Sequence, residues 1–168
     1  MSALGRERTF QYFSQRDQNP VALARLNYAV ELRYGVLVDI ARKVFERQSV
    51  DRTTAYANVI WQGDANAMAI ALLAEASSPA SVLNIAGPEL VDVEEVAKQF
   101  GGIFGVPVEF TGQRQPTALL NDGSVGHDRY GPPRVGLRQM IDWIAAWIQA
   151  GNPLLDKPTH FEVRSGQF

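Results

Sequence analysis

The sequence is sparing with groups that do chemistry. It has two histidines and no cysteine, so disulfides, thiolate nucleophiles and zinc–thiolate sites are excluded. His127 and His160 are far apart, and neither has a carboxylate or a second histidine at ligand spacing. Asp128 adjoins His127, but loop neighbours point apart, so His127 reads as a solvated loop residue and no metal site is expected. Asp64 could act as an acid or base, yet it follows Gly63 where a helix N-cap belongs, and capping is the better account. Serines such as Ser14 and Ser124 lack a G-x-S-x-G elbow. Gly101, Gly102 and Gly105 close a helix rather than open one. A phosphate cradle needs glycines ahead of a helix N-terminus, and no G-x-G-x-x-G or G-x-x-x-x-G-K occurs. The three tryptophans read as core. Arg25-Leu26-Asn27-Tyr28 differs from all of these, being a polar cluster at the end of an apolar run. Open α/β sheets bind ligands beyond strand carboxyl ends. Either these residues meet a ligand, or Glu31 or Asp39 satisfies Arg25 while Asn27 turns the chain.

The elements that must position this cluster follow from periodicity. Leu4 to Ser14 reads as an amphipathic helix with Leu4, Phe10 and Phe13 apolar, broken by Asn19-Pro20. Val21 to Val30 is a strand-length apolar run, the pattern of a strand covered on both faces. Leu37, Ile40, Ala41, Val44 and Phe45 form one buried stripe of a helix over Val36 to Gln48. Tyr56 to Trp61 is a second strand. Ala65 to Ala76 is a helix apolar nearly all round, which predicts deep packing. Ser81 to Ala86 is a third strand. Asp92 with Glu95 has capping-box spacing and opens a helix with Val96, Ala97, Phe100 and Ile103 inward, ending near Gly105. Val106, Val108 and Phe110 suggest a short strand, and Thr111 to Val135 a long irregular segment. Leu137, Met140, Ile141, Ile144 and Ile148 mark a last helix, with Trp143 and Trp147 widening its apolar arc. Phe161 and Val163 alternate with His160 and Glu162, a weak strand signal. Strands alternating with helices favour an α/β fold with largely parallel strands.

Composition bounds what such a fold can do. Over 168 residues, 16 basic and 18 acidic residues leave a net charge of −2, which builds no basic face for nucleic acid. At 46% hydrophobic the chain is globular rather than disordered. No apolar run is long enough to span a membrane and no signal peptide is seen, so a soluble, cytoplasmic protein is expected, without nucleic-acid or membrane partners.

Several passages, taken in order, resemble the C-terminal half of an extended short-chain dehydrogenase/reductase, the NAD(P)-dependent epimerase/dehydratase family. Ser2-Ala3-Leu4 with Glu7 resembles the helix that continues the Tyr-x-x-x-Lys motif. Pro20 to Tyr28 resembles the strand written L-R-x-x-N-x-Y-G. Asn58 to Ala65 resembles V-x-V-x-D-x-A, and Leu83 to Gly87 resembles Y-N-I-G. Asn121-Asp122 through Tyr130-Gly131, Pro133 and Trp143 resembles the family's ending.

The resemblance implies a partial Rossmann-like parallel sheet plus the small substrate-binding α/β subdomain of such enzymes over residues 1–151, and a tail over 152–168. It implies NAD or NADP as the family cofactor, but none for this chain alone. The dinucleotide fingerprint and catalytic tyrosine would fall before Met1, and the lysine position falls on Ala3. No catalytic residue is therefore expected here. Asn27 and Tyr28 are implied beside the cofactor, and Arg25, Asn27, Asp64 and Asn84 around the substrate, a sugar nucleotide or similar molecule. A second copy, or a complementing N-terminal half, is the implied partner. The implied protein is a substrate-binding portion inactive by itself. The alternatives are a non-enzymatic binding or oligomerisation domain, and a fragment of an active enzyme with an upstream start.

Overall fold

The structure is a computed structural model that describes residues 2–115, 118–157, 159 and 161. Six helices and nine short strands alternate along these residues, and the fold is α/β as the sequence predicts. Helix α1 (Ala3–Asp17) is capped by Ser2 Oγ, which accepts from Gly5 N. Strand β1 (Ala22–Leu26) follows, then β2 (Ala29–Val30), α2 (Val36–Phe45), β3 (Val50–Asp51), β4 (Tyr56–Ala57), β5 (Ile60–Trp61) and α3 (Gln62–Leu73). The chain continues through β6 (Ser81–Ile85), β7 (Val91–Asp92), α4 (Val93–Phe104), β8 (Phe110–Thr111), β9 (Ala118–Leu119), α5 (Ser124–Tyr130) and α6 (Leu137–Gln149).

Strand β1 runs parallel to β6, with Arg25 opposite Asn84 and Leu26 opposite Ile85. β2 pairs in parallel with β5, and β3 with β8. β4 lies between β7, antiparallel, and β9, parallel. The segment Ala-Leu-Ala-Arg-Leu of β1 contains good helix formers. Pairing along β6 overrides that local preference, and Pro20, with no N–H, keeps α1 from running on.

Two cores result. In the larger, α2, α4 and α6 surround Phe100, Leu37, Ile40 and Ile144. In the smaller, α3 lays Ala65, Met68 and Leu72 on Leu83 and Ile85 of β6. The β2–β5 pair joins them, since Ile60 belongs to the smaller core and Val30 to the larger. Residues beyond α6 pack onto α2: Thr159 Oγ1 donates to Asp39 Oδ2 (2.5 Å), Arg42 pairs with Asp156 (2.7 Å) and Phe161 is buried. The weak strand expected around Phe161 falls mainly on His160, Glu162 and Val163, which lie outside the described residues.

Several boundaries differ from the sequence reading for identifiable reasons. The run from Val21 to Val30 is two strands with different partners, because the backbone turns at Asn27 and Tyr28, the latter at φ 20°. β1 is not covered on both faces, for Ala24, Arg25 and Leu26 are exposed. The Tyr56–Trp61 run is likewise split, at Asn58 and Val59. Helix α3 is not deeply packed: it buries one side and leaves Ile70 and Leu73 in solvent. Phe45 and Ile103 are exposed at the ends of their helices. Trp143 is exposed and meets Trp61 edge-to-face at 5.4 Å on the rim of the core. The Thr111–Val135 segment contains β9 and α5.

The expected cap and stop of α4 are present. Asp92 Oδ1 accepts from Glu94 N and Glu95 N, and Gly105 ends the helix at φ 67°.

Gly87 follows β6 where it crosses the chain after β4. A Cβ there would lie 1.8 Å from Val59 O, a clash with backbone that cannot move aside. Gly87→Ala is therefore expected to abolish folding or lower stability by roughly 3 kcal/mol or more. Gly102, on the exposed side of α4, has nothing within 4 Å, and Gly102→Ala should raise stability by about 0.5–1 kcal/mol. Urea unfolding of the two variants checks both signs.

Candidate functional site

The carboxyl ends of β1 and β6 meet at a group of asparagines. At its centre is Asn58, which is buried. Its Oδ1 accepts from Asn27 Nδ2 (2.6 Å) and from Asn121 N (3.1 Å). Its Nδ2 donates to Gly87 O (2.8 Å) and Asn121 O (2.7 Å). A primary amide has two donor hydrogens and two acceptor lone pairs, so all four are engaged. Asn58 thereby ties the turn after β1, the end of β6 and the chain ahead of α5 to one point.

Around this hub the other amides take fixed orientations. Asn27 Nδ2 also approaches Asn58 O (3.1 Å). Asn84 Nδ2 donates to Asp122 O (3.0 Å), and Asn121 Nδ2 to Arg25 O (3.4 Å). Each of these three side chains uses its nitrogen within the protein and leaves its Oδ1 without a protein partner among the described residues. His127 Nε2 lies 2.8 Å from Ala86 O; a carbonyl can only accept, so Nε2 carries the proton.

Two carboxylates flank the group. Asp122 Oδ1 accepts from Ser124 N (2.9 Å), and bonds from the Ser124 backbone and side chain hold its pKa below the ordinary carboxylate value. Glu7 of α1 grips Arg25 through both oxygens, with Arg25 Nε to Glu7 Oε2 at 2.8 Å and a second, shorter bond from Nη2. The bond from Arg25 lowers the Glu7 pKa and raises that of Arg25.

The sequence-predicted residues divide accordingly. Arg25, Asn27 and Asn84 are brought together. Arg25 is satisfied by Glu7, not by Glu31 or Asp39, because Glu31 binds Arg33 and Asp39 binds Thr159. Asn27 does turn the chain. Tyr28 packs its ring against the larger core, and burial pushes its phenol pKa up, so the hydroxyl stays protonated. Asp64 is neither at the N-cap nor in the asparagine group. α3 begins at Gln62, and Asp64 Oδ2 accepts from Arg134 N (3.1 Å) and Val135 N (3.0 Å), pinning the loop before α6.

Sequence reasoning assigned no role to Asn58 or Asn121. Their signal was the density of asparagines at strand ends, and only folding reveals which of them is the hub. Among the described residues, no three histidine or acidic side chains are grouped as a metal site would require. A shallow hollow of about 350 Å³ beside Gly101, Gly102 and Gly105 holds Lys98 as its one charged group. An amide neither gives nor takes a proton at neutral pH, so the asparagine group can bind and orient polar ligand atoms but not relay protons.

No protein-family model matches the sequence, and no curated protein does. Solved structures do match the fold. The UDP-glucuronic acid 4-epimerase of Bacillus cereus in complex with NAD superposes with a TM-score of 0.70 at 16% identity, covering 86% of this chain and 49% of that one. RMD from Pseudomonas aeruginosa, complexed with NADPH, gives 0.71 at 16% identity, covering 88% and 54%. WbmG of Bordetella bronchiseptica, in complex with NAD and UDP, gives 0.61 at 20% identity, covering 80% and 46%. The chain therefore spans about half the length of these solved chains and shares the fold of the part it covers, in line with the resemblance of its sequence motifs. At such identities the likeness is one of fold. No helix among the described residues is long and apolar enough to cross a membrane.

Two predictions follow from the geometry. Asn58→Ala removes four hydrogen bonds, leaving Asn27 Nδ2 only the backbone Asn58 O and taking the side-chain partner from Asn121 N and from the carbonyls of Gly87 and Asn121, and is expected to cost about 2–3 kcal/mol. Asn58→Asp should cost at least as much at neutral pH, since it sets a carboxylate against two carbonyl oxygens; urea midpoints measure both. A carboxylate with a lowered pKa stabilises the fold fully above its unfolded pKa, and that stabilisation is lost as pH falls through the folded value. Melting temperature is thus expected to fall as pH drops below about 4.3, the ordinary glutamate value, and Glu7→Gln should make that decline shallower.

Proposed function

We propose that this chain is the substrate-binding portion of an NAD(P)-dependent epimerase/dehydratase-like protein acting on a sugar nucleotide, and that it does not transfer hydride by itself. The observation that carries the reading is the asparagine group at the carboxyl ends of two parallel strands, with the Oδ1 atoms of Asn27, Asn84 and Asn121 unengaged. Three carbonyl acceptors suit the hydroxyl groups of a sugar, and Arg25, opposite Asn84 in the sheet and paired with Glu7, is a cation placed beside them. Strand ends of an open parallel sheet are where such ligands sit. That WbmG was solved with NAD and UDP, and others of this fold with NAD or NADPH, supports the same ligand class.

Inactivity alone follows from the proton inventory. Position 3, where the resemblance puts the catalytic lysine, is alanine, which carries neither charge nor exchangeable proton. Contacts that hold substrate and transition state equally give binding without rate. A second reading, a non-enzymatic association domain, draws on the exposed apolar residues of α1.

Calorimetry with UDP-glucuronic acid is expected to show saturable binding, weakened about fivefold by Asn84→Ala, the loss of one modest hydrogen bond. No reduced nicotinamide should form from NAD or NADP with the sugar nucleotide present. Cofactor turnover by the chain alone would sink the inactivity claim, and absence of binding heat at millimolar ligand would leave the association reading.

A further inference from the structure

Chain ends fray unless something ties them down, and the chain that leaves α6 is tied repeatedly. Gly151 turns it at φ 68°. Trp147 Nε1 donates to Pro153 O (3.1 Å), Leu154 packs on the larger core, and Leu155 N donates to Arg33 O (3.1 Å). Further on, the Lys157 ammonium lies 5.9 Å from the centre of the Tyr34 ring. Thr159 donates to Asp39 Oδ2 through both its N (3.3 Å) and its Oγ1 (2.5 Å). Phe161 is buried, and its carbonyl accepts from Oγ1 of Thr54 (3.2 Å), a residue only 2% exposed. A buried hydroxyl needs an acceptor, so Phe161 O is part of what lets Thr54 sit inside.

These contacts fall on two segments that meet again at the asparagine group. Arg33, Tyr34 and Asp39 follow Asn27 through β2 and a turn in which Glu31 N donates to Tyr34 O (3.0 Å). Thr54 precedes Asn58 by four residues, through β4. At the site end the two segments are joined by Asn27 Nδ2 to Asn58 Oδ1, by Ile60 N to Tyr28 O (3.2 Å) and by the two-residue ladder of β2 with β5. So short a ladder holds its segments together but fixes their mutual orientation loosely, and a hydrogen bond weakens steeply as its angle falls. What holds the other ends of the segments therefore counts. The Arg42–Asp156 ion pair is solvent-exposed and adds little, which leaves Leu155 N, Thr159 and Phe161 as the contacts that do the holding.

We propose that Leu155, Thr159 and Phe161 are positioning residues: as a strap across α2 they hold the segments carrying Asn27 and Asn58 in the relative orientation that the amide group needs. The strap acts through Asn58, whose four hydrogen bonds all depend on the angle at which its segment enters the group. Because Asn58 Oδ1 receives both Asn27 Nδ2 and Asn121 N, a rotation of that segment disturbs Asn27 and Asn121 together, and with them two of the three free amide oxygens. A tail with a structural role alone adds stability and nothing else. A positioning strap also sets the amide geometry in a protein that is still folded. Its consequence for ligand binding rests on the reading of this chain as a substrate-binding portion, whereas its effect on the amides does not.

The test records side-chain amide signals in proton–nitrogen correlation spectra of the 168-residue chain and its variants, without ligand and well below their melting temperatures. Thr159→Val and Phe161→Ala are expected to move the NH₂ signals of Asn27 and Asn58, and Thr159→Ser, which keeps the hydroxyl, to leave them at the parent positions. Phe100→Leu, on α4 in the same core, is expected to lower stability without moving them. Where Phe161→Ala fails to fold, Thr159→Val carries the test. In calorimetry, Thr159→Val should weaken UDP-glucuronic acid binding about fivefold, as the loss of one modest hydrogen bond does. The proposal is overturned if the amide signals stay in place in Thr159→Val, or if Phe100→Leu moves them as far. It is equally overturned if the parent chain binds UDP-glucuronic acid and Thr159→Val binds it as tightly. If the parent binds none, the substrate-binding reading fails by itself and the amide signals alone decide on the strap.

Discussion

A buried primary amide is tolerated only when its hydrogen-bonding capacity is met, and Asn58 meets all of it with groups from three distant stretches of chain. That constraint shapes what surrounds it. The extended run from Tyr56 to Trp61 must break at Asn58 so that the amide can turn inward, and the run from Val21 to Val30 must break where Asn27 reaches it. Gly87 must lack a side chain because the chain crosses Val59 O at that point. Two breaks and one close crossing thus share a cause. They divide what would be long strands into short ones with different partners, and Asn27 and Asn58 stand at the points of division.

The same division explains the two cores. Once β1 and β2 part company at Asn27 and Tyr28, β1 and β6 belong with α3, while β2 and β5 lead into the cluster of α2, α4 and α6. The larger cluster is closed. Phe100, Leu37, Ile40 and Ile144 are surrounded, and the chain after α6 folds back to seal α2 through Asp39 and Phe161. The smaller cluster is one-sided. Its sheet has two strands, its helix α3 is apolar on the side it buries and on the side it does not, and α1 is held mainly by the Glu7–Arg25 pair and the hydrogen bonds of Ser14. Half-exposed ion pairs contribute little, so α1 is the least anchored of the long helices.

How much of this was legible in the sequence depended on whether the signal was local. The α4 cap at Asp92 and stop at Gly105 are local and were read correctly. So were the existence of all the longer helices and the α/β alternation. Partner choice was not local. Nothing between Val21 and Val30 says that Leu26 pairs with Ile85 while Ala29 pairs with Ile60. The partner of Arg25 lies 18 residues upstream on α1, nearer acidic residues being engaged elsewhere. Helix α3 misled for a different reason. An all-round apolar helix implies cover on all sides, and the sequence cannot say whether that cover lies within the chain. Within the site, Arg25, Asn27 and Asn84 were singled out by type and by resemblance. Asn58 and Asn121 stood in the quoted motifs without a role, because a hub is defined by the convergence of segments and not by its neighbours in sequence.

The asymmetry between the two cores bears on function. An amide cluster can recognise polar groups while the protein around it is only partly enclosed, since hydrogen bonds to Asn27, Asn84 and Asn121 need orientation more than burial. Hydride transfer needs more. A donor and acceptor must be held in near-attack geometry, a proton carrier must be tuned, and water must be kept out. Those demands call for walls on every side of the reacting atoms, whereas the smaller core beside the asparagine group leaves Leu26 of β1 and Ile70 and Leu73 of α3 exposed.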